Sequence, residues 1–206
     1  MSGKLPASDL HHFMRTRRSV RRFQERAVPQ EMLERIIETT TWAASAHNRQ
    51  PWRFVALQSQ DSKRRLAEAM AADFKRDLLA DGRSEEEAEA MVSRSRDRLI
   101  ASPVAVLLCL DFSDMDEYPD ETRHQAEHQM AVQSVALAGG NLLLAAHAEG
   151  LGAVWTCSPL FAPETVRRTL DLPAHWEPQG LILLGYPDES PEPRPRSPLS
   201  EVARFV

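Results

Sequence analysis

Three stretches of the chain concentrate side chains able to do chemistry. The first is Arg17-Arg18-Ser19-Val20-Arg21-Arg22-Phe23, inside a run with six arginines between positions 15 and 26. Guanidinium forks match phosphate oxygens in a bidentate way, and a serine hydroxyl adds a neutral donor. The same residues also read as a solvated basic turn paired with Glu25, Glu31 and Glu34. The second stretch is Ser45-Ala46-His47-Asn48-Arg49-Gln50-Pro51-Trp52-Arg53-Phe54. Its amides and hydroxyls suit the edge of a planar polar ring, or simply a capped helix end leading into an edge strand. The third, Gly150-Leu151-Gly152-Ala153-Val154-Trp155-Thr156-Cys157-Ser158-Pro159, ends a strand in small residues before a proline. Backbone amides there need a partner outside the ladder. No base is specified for Cys157, so a small buried thiol is its expected role.

Composition narrows what these stretches can serve. The chain has 206 residues, 25 Lys+Arg against 30 Asp+Glu, and a formal net charge of −5. With 42% hydrophobic and 27% charged residues it has ordinary globular composition, enough for a real core in a single domain spanning 1–206. Only 8 glycines are present, and neither GxGxxG nor GxxxxGK[ST] occurs. A phosphorylated cofactor must therefore be gripped by side-chain cations rather than by a glycine turn. Two cysteines exclude a disulfide framework or a closed thiolate zinc site. The longest apolar run, residues 104–110, is too short to cross a bilayer, and no signal peptide is visible at the start. These readings predict a cytoplasmic protein with no membrane partner.

The elements that must position the three stretches follow from periodicity. Ser8 caps a short first helix that runs into the arginines. Pro29 opens a second, carrying Met32, Leu33, Ile36 and Ile37 at helical spacing and ending near Ala44. Residues 54–57 read as a buried strand. Residues 61–101 read as helix, broken at Asp81-Gly82 and restarted by the capping box Ser84…Glu87. In that region Lys63-Arg64-Arg65 is expected on the solvated surface. Residues 104–110 form a strand buried on both faces, followed by a long helix over 122–148 rich in Ala136, Ala138, Gly139, Gly140, Ala145 and Ala146. Strands over 153–156 and 181–186 flank a helix opened by Pro163, and Trp176 is expected to anchor the core. Five of the 14 prolines fall in 187–198, predicting an extended tail. The class is α+β with a central mixed sheet.

Together RRSVRRF, SAHNRQPWRF and GLGAVWTCSP resemble the three signatures of the nitroreductase-like flavoproteins. DFKRDLLADG, EYPDETRHQAEH and DLPAHWEPQGLILLGYPDE extend the likeness toward the reductase domain fused to a glutamyl ligase in deazaflavin-coenzyme biosynthesis. The resemblance implies a three-layer α-β-α fold with a mainly antiparallel mixed sheet, and a homodimer with FMN at its interface. It implies that Arg17 and Ser19 grip the phosphate, Arg18 chiefly through its backbone, with Arg21 beside the pyrimidine edge. Ser45, Ala46 and Asn48 then line the ring and ribityl chain, with His47 a departure. Thr156, Cys157 and Ser158 turn amides toward the redox-active nitrogen. Arg194 and Arg196 both fall near the last phosphate-binding cation. Asp77 falls at a substrate-contacting position, unless its helix is only a lid with a solvated outer face. The implied chemistry is ping-pong hydride transfer, carried by the flavin without an acid–base pair from the protein.

Within that resemblance the acceptor is either an unsaturated precursor of the deazaflavin coenzyme or, with NAD(P)H as donor, a nitroaromatic or quinone. A non-catalytic FMN-binding protein is a further reading. A nucleic-acid module using residues 15–26 is disfavoured by the acidic balance and by the lack of aromatics interleaved through the cluster. His124 and His128 share a helix face near Glu121 and Glu127, but no third ligand completes a zinc site, so no metal is expected.

Overall fold

The computed structural model describes residues 5–206. Four strands form one sheet in the order β1-β2-β4-β3: β1 is Trp52–Leu57, β2 Val104–Asp111, β3 Gly152–Thr156 and β4 Trp176–Gly185. Every pairing between them is antiparallel, which corrects the expected mixed sheet. The parallel component shrinks to one isolated bridge, Ser19 to Ala153. A parallel neighbour needs a crossover helix between the two strands. Here the helical connections β1-to-β2 and β3-to-β4 each return the chain antiparallel.

All eight residues of β2 are buried, as its continuous apolar run requires. Strand β4 begins five residues earlier than periodicity predicts, because Pro178 and Gly180 resemble breakers. Pro178 brings no amide to the ladder, and the register slips beside it, between Leu108 and Cys109.

Helices cover both faces. On one side α2 (Gln30–Thr40) and α5 (Glu121–Ala148) pack on Val104, Val106, Leu108, Ile182 and Leu184. On the other, α3 (Gln60–Ala80), α4 (Glu85–Ala101) and α6 (Pro163–Leu170) cover Ala105, Leu107, Leu181 and Leu183. The α3/α4 break falls where the sequence puts it. Gly82 turns at φ 82°, and Ser84 with Glu87 forms the capping box. Helix α2 ends at Thr40 rather than Ala44, and Pro6, not Ser8, occupies the cap position of α1 (Ala7–Thr16). Residues 189–198 form no helix or strand and are followed by a one-turn helix α7, Leu199–Val202, which composition did not predict.

Helix α5 is the one described helix long and apolar enough to cross a membrane. Its buried residues Glu127, Ala131, Ser134, Val135, Ala138, Gly139, Leu142, Ala145 and Ala146 repeat every three to four positions and face the sheet. The small residues therefore divide. Ala138, Gly139, Ala145 and Ala146 face the chain's own core, where a Cβ at Gly139 would stand 1.9 Å from the Trp155 ring. Ala136 and Leu137 are exposed, and the Cβ position of Gly140 meets nothing within 4 Å.

Lys63 corrects a second expectation. It is 2% exposed, and its ammonium donates to the carbonyls of Ser102 and Pro103, capping the negative end of α4. Burial pushes its pKa down. Arg64 and Arg65 do lie on the surface.

Candidate functional site

The arginine stretch is an extended strap laced between the β3 edge and the chain leaving β4. Val20 N–H donates to the Ala153 carbonyl at 3.1 Å, and its side chain is buried over Gly152. A Cβ at Gly152 would sit 2.7 Å from Val20, so the first and third stretches require one another. Farther on, Gln24 N–H donates to Tyr186 O at 2.9 Å and Asp188 N–H to Arg22 O at 3.0 Å. The Glu189 carboxylate accepts from Arg21 N–H at 2.6 Å, Arg22 N–H at 3.2 Å and Arg22 Nε at 3.1 Å. The Arg21 amide bond leads the causes that hold the Glu189 carboxyl below the usual carboxylate range. Neither Glu25, Glu31 nor Glu34 forms an ion pair with the arginines of 17–22 among the described residues.

Arg17 follows the last turn of α1, where the backbone swings out to φ −57° and ψ 134°. Its Nη1 is buried and has no hydrogen-bond partner, alone among described side-chain nitrogens and oxygens in that respect. Burial first, then the charges of Arg18 and Arg196, depress its pKa. The Arg18 guanidinium is occupied by the carbonyls of Arg15 at 2.6 Å and Arg17 at 2.9 Å. Arg196 comes back along the tail to join the cluster, whereas Arg194 is not among the charges acting on Arg17. A buried donor that stays unsatisfied costs about 1–3 kcal/mol, and more when charged. The unpartnered Arg17 donor beside the positive charges of Arg18 and Arg196 suits a multiply charged anion, and the phosphate of FMN fits it.

The second stretch is a strained loop. His47, Asn48 and Gln50 have φ of 50°, 54° and 50°, a left-handed region that non-glycine residues seldom occupy. Pegs hold it there. Ser45 Oγ accepts from Gln50 N–H at 3.1 Å, and Ala46 N–H donates to the buried Ser134 Oγ at 3.2 Å. Arg49 pairs with Asp116 at 2.6 Å, and the Glu127 carboxylate accepts the Asp116 amide. Helix α1, which leads into the strap, docks on the same helix, where Thr16 Oγ1 lies 3.2 Å from His147 Nε2. Ser134 and His147 are thirteen residues apart on α5, about 20 Å at 1.5 Å per residue.

At the end of β3, Thr156 Oγ1 donates to the Leu181 carbonyl at 3.1 Å and the pairing stops. Cys157 is exposed, which overturns the expected buried thiol; Cys109 in β2 is the buried one, its pKa pushed up to about 12 by burial. Thr156, Ser158 and Asp77 line one cavity of about 390 Å³ under α3 and α4. In one chain Arg17, Arg18, Ser19, Arg21 and Arg196 lie on the strap and tail, Ser45, Ala46 and Asn48 on the loop, and Thr156, Ser158 and Asp77 at the cavity, with Ser19 bridged to Ala153 three residues before Thr156. His128 is engaged 2.8 Å from Glu177, and His124 and His128 both pack on Phe112. Glu189, Ser134 and His147 were missed because their partners lie 168, 88 and 131 residues away.

Residues 14–186 match the sequence model of the nitroreductase family. The chain belongs to that family. An NADH dehydrogenase of Thermus thermophilus is 32% identical, covering 98% of this chain and 98% of its own. An iodotyrosine deiodinase of Haliscomenobacter hydrossis is 31% identical over 89% of this chain and 81% of its own. Among solved structures, one from Desulfovibrio desulfuricans in complex with FMN is 27% identical, with a TM-score of 0.74 over 99% of this chain and 98% of that one. A BluB-like flavoprotein from Clostridium difficile 630 shares the fold at a TM-score of 0.80 and 22% identity, over 96% and 98% of the two chains. As a nitroreductase-family protein the chain is an FMN-dependent oxidoreductase. Arg194 and Arg196 lie beyond the matched residues, so the tail cation is read from the charge cluster instead.

Proposed function

We propose that this nitroreductase-family protein is a cytoplasmic, single-domain NAD(P)H-dependent reductase of aromatic acceptors such as quinones or nitroaromatics, acting as a homodimer. The observation that carries the cofactor half of this reading is the buried, unpartnered Arg17 Nη1 beside Arg18 and Arg196. Bound FMN would supply the hydride transfer between donor and acceptor, which removes any need for a protein acid–base pair.

Each group then has a task. Arg17, Ser19 and Arg196 hold the phosphate, with Arg196 favoured over Arg194 by its closeness to Arg17. Arg18 acts through its backbone, since carbonyls already occupy its guanidinium. Arg21, whose amide is tied to Glu189 while its side chain stays exposed, sets positive charge beside the pyrimidine edge. The amides of Thr156, Cys157 and Ser158, at and beyond the end of the β4 pairing, face the redox edge.

Ser45, Ala46 and Asn48 line the ring from a second copy. The loop docks on α5 through Ser134, whereas helix α1, which leads into the strap, docks there through Thr16 about 20 Å away, and that separation favours a site completed across an interface. Exposed Ala136 and Leu137, with the open Cβ position of Gly140, lie between those docking points and suit a close helix–helix contact.

One of the relatives described above bears on the donor. The Thermus protein is named an NADH dehydrogenase, and none of those described is named for deazaflavin-coenzyme synthesis. The unsaturated coenzyme precursor therefore enters as a comparison acceptor. Anaerobic protein should show oxidised-flavin absorbance, bleach with NADH or NADPH, and recover with 1,4-benzoquinone or a nitroaromatic. Flavin that neither nicotinamide bleaches would remove this donor. Recovery only with the deazaflavin precursor would replace the acceptor.

A further inference from the structure

Arg21 and Arg22 are neighbours of one residue type, yet the fold gives them different surroundings. Among the described residues Arg22 pairs with Glu189, whereas no acid pairs with Arg21, whose Nη1 donates to the Ser19 carbonyl at 3.2 Å. The difference is imposed from across the molecule. Glu189 stands on the chain leaving β4, and its Oε1 accepts from the Arg21 and Arg22 amides together. In extended backbone successive N–H groups point to opposite sides. Two aimed at a single oxygen mean that the strap bends there, into the kind of concavity that backbone amides offer an anion.

The bonds to Glu189 are unequal. The 2.6 Å bond from the Arg21 amide is of the short, charge-assisted kind. The Arg22 ion pair contributes less, because that side chain is 74% exposed. Other contacts join the same two segments: Asp188 N–H donates to the Arg22 carbonyl, Gln24 Nε2 donates to Pro187 O at 2.9 Å, and Arg26 lies over the Tyr186 ring at 3.7 Å. All of them act at residue 22 or later. On the Arg21 amide Glu189 acts alone among the described residues. What it chiefly fixes is backbone, at the arginine that has no acid of its own.

We infer that Glu189 is a positioning residue for electron transfer: by holding the Arg21 amide it aims the Arg21 guanidinium at the pyrimidine edge of the flavin, and so raises the flavin's reduction potential through Arg21 rather than through its own charge. The sign sets this role apart. A carboxylate acting through its own field lowers the potential, because negative charge disfavours the anionic reduced ring, whereas a correctly aimed guanidinium raises it. The effect on the flavin rests on the proposed function; the bend that Glu189 holds does not.

Midpoint potentials of the FMN-loaded protein, with FMN supplied in excess, test that sign. Glu189→Ala should lower the potential by about 30 mV or more, a tenfold loss of preference for reduced flavin in a two-electron couple. Glu189→Asp keeps the charge but is one methylene short of the amides, and should lower the potential as well. Neither change should lower it further in an Arg21→Ala background. A direct field effect would instead give a rise with Glu189→Ala and no change with Glu189→Asp. A potential that fails to fall in either variant, or that falls further without Arg21, overturns the inference. Amide exchange in FMN-free protein supplies a readout that needs no flavin. The Arg21 and Arg22 amides should exchange about tenfold faster or more in Glu189→Ala, with the β2 amides still protected, and unaltered exchange also overturns the inference. Wild-type protein that takes up no FMN ends the reductase reading instead, while exchange still decides whether Glu189 holds the bend.

Discussion

Replacing Arg17 by Met should make the FMN-free protein more stable and the FMN complex weaker. In the free protein Arg17 Nη1 is buried without a partner, and Arg18 and Arg196 repel the charge. Removing an unsatisfied charged donor, while keeping much of its stem, relieves on the order of 1 kcal/mol. In the complex the same change removes a charge-assisted bond to phosphate worth about 2 kcal/mol, or roughly 30-fold in Kd. Ligand linkage converts this into a thermal readout. FMN at 100 times the wild-type Kd stabilises wild type by about 2.7 kcal/mol, but at the same concentration stabilises the variant by only about 0.9 kcal/mol. Denaturant titrations of both proteins, with and without FMN, measure all four corners of the cycle. A free variant less stable than free wild type by more than about 1 kcal/mol, with FMN affinity unchanged within twofold, would show that Arg17 is a structural residue and refute the reasoning.

Three other perturbations probe the scaffold around the site. Gly152→Ala drives a methyl to within 2.7 Å of Val20; it should cost about 1–3 kcal/mol in urea unfolding and loosen the strap enough to weaken FMN retention. The His147 pKa is pushed down by burial, then by Arg17, against an opposing bond to the Phe13 carbonyl, with Arg18 adding a smaller push in the same downward direction. Its folded pKa lies below the unfolded value near 6.5, so the stability it contributes above that pH is lost as pH falls through the interval between the two. Thermal melts of the FMN-free protein should therefore show a larger drop from pH 7.5 to pH 5 for wild type than for His147→Gln; equal drops would contradict this. A thiol reagent at pH 8 should label one cysteine in the native protein, Cys157, and two after denaturation, because Cys109 is buried and its pKa stands at about 12. Two labels in the native state would count against the buried β2 thiol.

Much of the architecture was legible in local patterns. The capping box at Ser84, the turn at Gly82, the first-turn proline of α6 and the fully buried β2 all depend on neighbours within a few residues. The three candidate stretches also stand out in the sequence, since each packs its polar groups into about ten consecutive residues. The errors have a common cause. Lys63 looks like surface from its charged neighbours, yet the helix turns it inward onto two carbonyls forty residues away. Cys157 looks like a core thiol after an apolar strand, yet the ladder stops one residue earlier and leaves it in solvent.

Residue types and spacing by themselves determined that no GxGxxG or GxxxxGK[ST] turn is present and that six arginines cluster between positions 15 and 26, because side-chain chemistry travels with the sequence. Only the tertiary structure decided which of those cations lacks a partner, which tail arginine approaches it, and that Gly152 must be bare for the strap to lie against β3. Those outcomes depend on burial and close approach between segments that are more than 130 residues apart. No local pattern encodes distances that arise only when the sheet brings its edges and its tail together.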